Sequence, residues 1–391
     1  MSVFEQVWER RNSRSMKWDR LEFVYGLEDA SDVLPMWVAD MDFAAPDVVI
    51  DAIRERLEHP VFGYSSEFDD CRDALRQWLA TRYAWDTESD WMQFHQGVVP
   101  AIATIIETFT KEEDGILITT PVYPPFFRIP RLQQRTVVES ELKEQDGIYS
   151  VDFEDFERKL QDNVKVFLLC HPHNPGGIVW PEKDLQEMLR LCAQYDVLVI
   201  SDEIHADLVF PEHTHIPLGK LAGKEANRII TCVAPTKTFN LAGLQAAVTI
   251  SPDPEIRKKL RHNAIAHGQM EMNTFAAVAF KAAYEQGGPW LDELIETISS
   301  NMDYVIRKLT AAIPGVKISK PHATYLLWID YRDTGLSEKE MMARLLTKGK
   351  VALEPGTKYG EAGRGFLRMN VAAPRSLIEE GVERFIRAMN D

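Results

Sequence analysis

The sequence predicts an α/β protein, with a large domain on a central, mostly parallel sheet flanked by helices and a smaller α+β domain behind it. Three observations predict this. From about residue 46 to 290, short β-branched runs alternate with amphipathic helical stretches, the pattern of parallel strands joined by crossover helices. Several runs, VFLLC and VLVI among them, are apolar without alternation, as strands buried on both faces are. Beyond residue 290 the regular alternation stops and shorter mixed elements follow.

The predicted strands of the large domain are GILITT (115–120), RTVVES (135–140), VKVFLLC (164–170), VLVISD (197–202), RIITCV (228–233) and AAVTIS (246–251). Amphipathic stretches lie between them. In PEKDLQEMLRLCAQYD, Pro181 suits a first helical turn and the acids that follow suit the positive end of the helix. One long helix is expected from Pro289 to about Ala312. After Gly315 come VKIS, ATYLLWI, a helix from Ser337, KVALEPG, GFLRMNVA and a last helix from Pro374. With no repeat and no low-complexity linker, the long helix is the best boundary. The domains are therefore placed at 46–290, and at 1–45 together with 291–391.

Composition narrows the function. Of 391 residues, 44 are Lys or Arg and 60 are Asp or Glu, a net charge of −16, with 45% hydrophobic and 27% charged residues. This is an ordinary globular balance with ample apolar surface for large cores. So acidic a chain lacks the basic surface needed to hold nucleic acid or anionic membrane without sequence specificity. The four cysteines, 71, 170, 192 and 232, form no CxxC pair; Cys170 and Cys232 sit in apolar strand runs as buried thiols, and no metal site is expected. The N-terminal stretch MSVFEQVWERRNSRSMKWDR carries charges throughout, unlike a secretory signal, and no run reaches the roughly 18 apolar residues of a membrane span. A cytoplasmic location is the expectation.

Three polar segments follow successive strands at their C-terminal ends, where ligands bind in open α/β sheets. VKVFLLC is followed by HPHNPGG with Asn174, VLVIS by DEIHADL with Asp202 and Glu203, and RIITCV by APTKTFNLAGL with Lys237. Each has an ordinary reading in isolation: a tight turn, a helix cap, a solvated surface lysine. Their combination and order change that reading.

The order Asn174, Asp202, Lys237 resembles the cofactor core of the fold-type-I pyridoxal-phosphate (PLP) enzymes, the aspartate aminotransferase superfamily. The wording of DEIHADL and TKTFNLAGL, with MWVADMDF near the N-terminus, is similar to the MalY/PatB branch, the cystathionine β-lyase or C–S lyase group. The resemblance runs essentially end to end and implies a PLP-dependent transferase-like fold with PLP as cofactor.

It also implies roles. Lys237 would bind the cofactor covalently and, once released, move the Cα proton, a task suited to an amine whose pKa is lowered by desolvation. Asp202 would pair with the pyridine nitrogen, Asn174 would donate to the phenolate oxygen, and His205 would stand where a tyrosine usually neighbours that oxygen. The helix start after QGVVPAI, at Gly97, Val98 and Val99, would receive the phosphate on backbone N–H groups. Thr236 would add a hydroxyl, and Tyr64 would reach the phosphate from the neighbouring subunit of a homodimer. Tyr123 would stack on the ring and take part in proton transfer. Arg368 would grip the substrate carboxylate with its planar fork, and the Ala39 backbone would approach the same carboxylate.

There are departures from the wider superfamily. Ala234 and Gln245 stand where aminotransferases commonly place a phosphate-binding serine and arginine, so backbone amides, Thr236 and Tyr64 would have to suffice. Ile178 replaces a basic residue often seen after HNPGG, with no functional consequence that the sequence reveals.

The activity implied is β-elimination from L-cystathionine or another cysteine S-conjugate, giving pyruvate, ammonia and a thiol. Transamination on the same core is the alternative, since the two differ only in the fate of the Cα carbanion. A protein of this fold whose main task is to bind a regulator is a third reading.

Overall fold

A computed structural model of the chain describes residues 2–66, 68–269 and 272–390. Seven strands form the central sheet: β1 (Met92–His95), β2 (Gly115–Thr120), β3 (Thr136–Glu141), β4 (Val164–Cys170), β5 (Leu198–Asp202), β6 (Ile229–Val233) and β7 (Ala247–Ile250). Their spatial order is β1-β7-β6-β5-β4-β2-β3. All run parallel except β7, which is antiparallel to both neighbours. Strand β1 lies outside the runs recognised in the sequence, because MQFH is too short to show a period.

The unalternating apolar runs are buried as expected: Ile116, Leu117, Ile118, Val166, Phe167, Leu168 and Ile200 are fully enclosed. Two apolar layers separate across the sheet. Leu117, Phe167 and Leu169 pack with Phe156, Leu185 and Met188 on one face, and Ile116, Ile118, Val166 and Leu168 pack with Ile102, Ile105 and Ile106 on the other. Truncating one such aliphatic side chain to Ala costs about 2–5 kcal/mol.

Four helices matter for the site or the frame. Helix α1 (Val98–Phe109) follows β1, and α2 (Glu182–Gln194) carries Glu182 and Asp184 in its first turn. Pro181 caps α2 with extended backbone instead of occupying its first turn, a one-residue correction. Helix α3 (Gly288–Ala312) runs nearly as expected and buries Leu291, Leu294, Ile298, Met302, Val305 and Leu309 along one stripe. Helix α4 (Arg375–Met389) closes the chain.

The C-terminal part holds a three-stranded antiparallel sheet of β8 (Leu326–Asp330), β9 (Glu354–Pro355) and β10 (Phe366–Asn370), with β10 in the middle. VKIS contributes only an isolated bridge between Lys317 and Asp330. Ser337 caps the helix Glu338–Ala343 in a capping box with Glu340, and a π-helical turn, Arg344–Gly349, continues it. The N-terminal segment crosses to this part of the chain, where Leu34–Pro35 pairs in parallel with Val351–Ala352. Among the described residues, no helix is long and apolar enough to cross a membrane.

Candidate active site

The register of the parallel strands brings their C-terminal ends level. In the register, Cys170 of β4 lies beside Asp202 of β5, and Asp202 beside Cys232 of β6. The turns that leave these ends carry Asn174, Asp202 and Lys237 onto one edge of the sheet. Lys237 sits on the short helix Pro235–Thr238, one residue after the buried Thr236.

The HPHNPGG turn is held from below. Gly177 has φ +65°, and a Cβ there would lie 2.3 Å from Pro321 Cβ, so only glycine lets the turn dock on the 321–323 segment. His322 and Ala323 donate their N–H groups to Gly177 O. Asn174 is buried and its Oδ1 accepts from Arg368 Nη1 at 3.2 Å, while no acceptor among the described residues meets its amide N–H groups.

Asp202 is buried, and among the described residues its carboxylate accepts one hydrogen bond, from Ile204 N–H at 3.2 Å. Desolvation pushes its carboxyl up to about 7 against that bond, with the neighbouring Glu203 adding to the rise. Lys237 is driven the other way, down to about 8, by desolvation first and then by the charge of Arg368. Its Nζ donates to Ala39 O, the same carbonyl that accepts from Tyr325 OH at 2.9 Å. Ala39 therefore meets the lysine through its carbonyl, and no acceptor among the described residues meets its N–H. His205 is buried beside Tyr325, its Nδ1 without a partner; burial, then the charges of Lys237 and Arg368, holds its imidazole neutral with a pKa near 3. Tyr123 stays protonated, its phenol raised to about 12 by burial and then by Asp202.

Arg368 lies in β10, 3% exposed. Besides Asn174, its Nη2 donates to Trp37 O at 2.8 Å and to Glu354 Oε2 at 2.5 Å, and its Nε has no partner. Glu354 in turn accepts from Tyr359 OH at 2.5 Å, and the Tyr359 ring lies 5.1 Å from the guanidinium carbon. Burial would raise the Glu354 carboxyl, but the charges of Arg368 and Lys358 leave it below its ordinary value.

The MWVADMDF segment is fixed from several sides. Asn370 Nδ2 donates to Val38 O and Asp40 O, and Asn240 spans Met41 and Phe43. Asp42, buried, accepts from Arg10, Lys17 and Trp18 at 2.6–2.8 Å. The two aspartates of the motif thus anchor the segment, while Trp37 O and Ala39 O serve the site.

Helix α1 begins at Val98 with Gly97 as its cap at φ +123°, a conformation that favours glycine. No side chain caps it, and among the described residues no acceptor meets the Gly97 N–H. Gln245 stands exposed at φ +59°.

One expected site residue stays apart within the single chain. Tyr64 is 97% exposed, makes no hydrogen bond among the described residues, and lines a surface cavity of about 1310 Å3 with Phe62, Gln96, Arg261 and Phe275. The sequence reading missed Glu354, Tyr359, Tyr325 and Trp37. Nothing signalled the first, since a glutamate gives no sign in sequence that it will face a buried arginine. All four cysteines are free and buried, the thiols of Cys170 and Cys192 raised by desolvation. Among the described residues, no group of three or more His, Cys, Asp or Glu side chains could hold a metal ion.

These residues fit PLP. A buried carboxylate with a single hydrogen bond suits a pyridinium N–H, and free amide donors on Asn174 suit a phenolate. A lysine near pKa 8 suits covalent attachment, and an uncapped helix start behind a left-handed glycine suits a phosphate.

Comparison with known proteins agrees with this chemistry. The family model for aminotransferase class I and II matches residues 31–385. Cystathionine beta-lyase PatB of Bacillus subtilis (strain 168) is 42% identical over 388 residues, covering 99% of this chain and all of the relative. Protein MalY of Escherichia coli (strain K12) is 34% identical, covering 100% of this chain and 99% of its own length. The crystal structure of cystalysin from Treponema denticola, which contains a pyridoxal 5'-phosphate cofactor, superposes with a TM-score of 0.95 at 35% identity over 98% of both chains. At such identity over nearly its whole length, the chain belongs to the class I and II aminotransferase family, in the branch that holds PatB and MalY.

Proposed function

We propose that the protein is a PLP-dependent carbon–sulfur β-lyase of the cystathionine β-lyase type, which eliminates a thiol from L-cystathionine or another cysteine S-conjugate. The observation that carries the reading is the convergence of Lys237, Asp202 and Asn174 on one edge of the central sheet, met there by Arg368 from the C-terminal sheet through its bond to Asn174, in a chain 42% identical to a cystathionine β-lyase. PLP, when bound, supplies the electron sink that lets the Cα–H bond ionise.

The protein's own residues do the rest. Arg368 orients the substrate by its carboxylate, and the Ala39 N–H lies free to support that grip. Held by Ala39 O and depressed to about 8, Lys237 can carry its amine neutral near physiological pH and take the Cα proton on Nζ. Asp202 keeps a negative charge where the cofactor nitrogen needs a proton. With phenols raised well into the alkaline range, Tyr123 and Tyr325 remain donors, so the proton delivered to the departing sulfur comes from Lys237 or Tyr123. Holding the substrate between Arg368 and Lys237 so that the Cα proton lies within reach of Nζ is a positioning effect, and effects of this kind reach roughly 7–11 kcal/mol at their limit. The thiol leaves with one proton, and the released aminoacrylate takes up one water to give pyruvate and ammonia.

The assembly proposed is a homodimer in which Tyr64 completes the neighbouring phosphate site. Its support is the exposure of Val61, Phe62 and Tyr64 beside a cavity that also reaches Gln96, next to Gly97. Domains at 46–290 and at 1–45 with 291–391, and a cytoplasmic location, complete the proposal. The test is to supply L-cystathionine without any keto acid and follow pyruvate and thiol over many turnovers. Steady release of both is expected. Product that forms only with an added keto acid would overturn the lyase reading in favour of transamination.

A further inference from the structure

Arg368 as it stands has no free edge for a carboxylate. A guanidinium grips a carboxylate bidentately along one of two edges, Nε with Nη2 or Nη1 with Nη2. Both edges share Nη2, and the two N–H bonds of that nitrogen are spent on Trp37 O at 2.8 Å and Glu354 Oε2 at 2.5 Å. The donors left over, Nε with no partner and one N–H of Nη1, lie on different edges.

One of the two acceptors has to yield. Trp37 O is backbone in a segment fixed by Asn370, Asn240 and the Asp42 cluster. Glu354 is a side chain with other partners at hand: Tyr359 OH at 2.5 Å, and Lys358 Nζ at 3.4 Å from its second oxygen. It is also chemically the same group as the one that must replace it.

We infer that Glu354 is a resident carboxylate that occupies the substrate-carboxylate position on Arg368 and is handed over to Tyr359 and Lys358 when a substrate arrives. The inference rests on the reading of Arg368 as the carboxylate site. At rest, the pair keeps a buried guanidinium from standing unpartnered, which would carry a large desolvation cost. Glu354 is then a positioning residue that acts through Arg368. It lowers apparent affinity by the fraction of time it holds the arginine. Groups that are not carboxylates meet an arginine already occupied, so Glu354 also favours carboxylate-bearing ligands.

The experiment titrates the PLP-loaded protein calorimetrically with propionate, a carboxylate without amine or leaving group, alongside KM and kcat for L-cystathionine. Glu354→Gln removes the competing charge but keeps the shape. If Glu354 holds Arg368 most of the time, the propionate Kd falls about three- to tenfold, and KM falls with it more than kcat changes. An unchanged or higher Kd overturns the inference, since a merely structural partner of Arg368 weakens binding when removed. Tyr359→Phe carries the test if the Gln variant does not fold. It keeps the ring under the guanidinium but removes the receiver of Glu354, and the propionate Kd is expected to rise about threefold; no change there also counts against the handover. Arg368→Lys separates the two levels. If it leaves propionate binding intact, the carboxylate reading of Arg368 itself fails; if it abolishes binding while Glu354→Gln weakens it, only the handover fails.

Discussion

Asp202 and Glu203 are adjacent, both carboxylates, both buried, and both pushed up to about 7 by desolvation, yet the chain treats them differently. Glu203 points into a closed polar cluster. Its Oε1 accepts from Ser201 OH at 2.8 Å and Leu218 N–H at 2.9 Å, and its Oε2 lies 2.8 Å from His215 Nε2. His215 is held neutral near pKa 3 by burial, and one proton, on Nε2 or on the carboxyl, joins the pair. Nearby Asp207 is equally well served by Trp78, Tyr83 and Thr238. Asp202, on the opposite face of the strand end, has one backbone N–H. A buried carboxylate with its hydrogen bonds filled from within stabilises a fold, whereas one left short of partners keeps room for a ligand's charge.

The comparison can be broken most sharply at Lys237. Lys237→Ala removes the attachment point and the proton-transferring amine, and elimination should fall by about 10^4-fold. Borohydride, which in the parent protein should bleach the yellow colour and attach the cofactor to the chain, should attach none to the variant. Activity within tenfold of the parent would remove Lys237 from the chemistry.

Asp202→Asn comes next. Loss of a buried ionic partner costs about 3–5 kcal/mol, or about 10^2 to 10^4 in rate. Without cofactor the sign reverses. A carboxyl raised to about 7 stabilises the fold only while protonated, so its contribution is complete below about pH 4 and is lost as pH rises through 7. The cofactor-free Asn variant should therefore melt above the wild type at pH 8 and level with it at pH 4, while PLP stabilises it less. Equal melting at pH 8 would mean that the site is wetter than its geometry implies.

Glu203→Gln should act in the opposite sense. It disturbs a filled cluster, lowering stability by about 1–3 kcal/mol in urea titrations, while KM for cystathionine stays within twofold. A large KM effect would erase the distinction between the two carboxylates. Tyr123→Phe retains the ring and removes the hydroxyl, and kcat should drop about tenfold if that hydroxyl serves the leaving sulfur. The smallest effect per group concerns the buried histidines. His95, His171, His173, His205 and His215 are all depressed to about 3 or 4 by burial, so each supports the fold fully above about pH 6.5 and progressively less as pH falls toward 4. Unfolding at pH 5.5 should take up protons, measurable by calorimetry in buffers of different ionisation enthalpy.

Much of the molecule was legible in order along the chain. Six of the seven central strands match their predicted runs within a residue at either end; burial on both faces gives five of them a distinctive apolar composition, while the largely exposed edge strand β3 is marked only by its β-branched residues. The triplet Asn174, Asp202, Lys237 was legible for a related reason: neighbouring parallel strands place whatever follows each of them on the same edge. Glu354 and Tyr359 were not legible. They face Arg368 only because β9 pairs with β10 at Glu354 and Arg368, a register no local pattern encodes. The reading of Ala39 changed in detail, since the fold turns its carbonyl toward Lys237 and leaves the N–H for a ligand.

The sequence by itself determined the elements, the sheet they build and the chemistry available at its edge, since these follow from local composition and from the fixed geometry of parallel strands. The tertiary structure alone decided which charges meet: that Asp202 stays short of partners while Glu203 is satisfied, and that Arg368 already holds a carboxylate of its own. Pairing among buried charges depends on distances of a few ångströms between segments that, like Glu203 and His215 or Trp37 and Arg368, lie from a dozen to several hundred residues apart, and it is set only when the cores close around them.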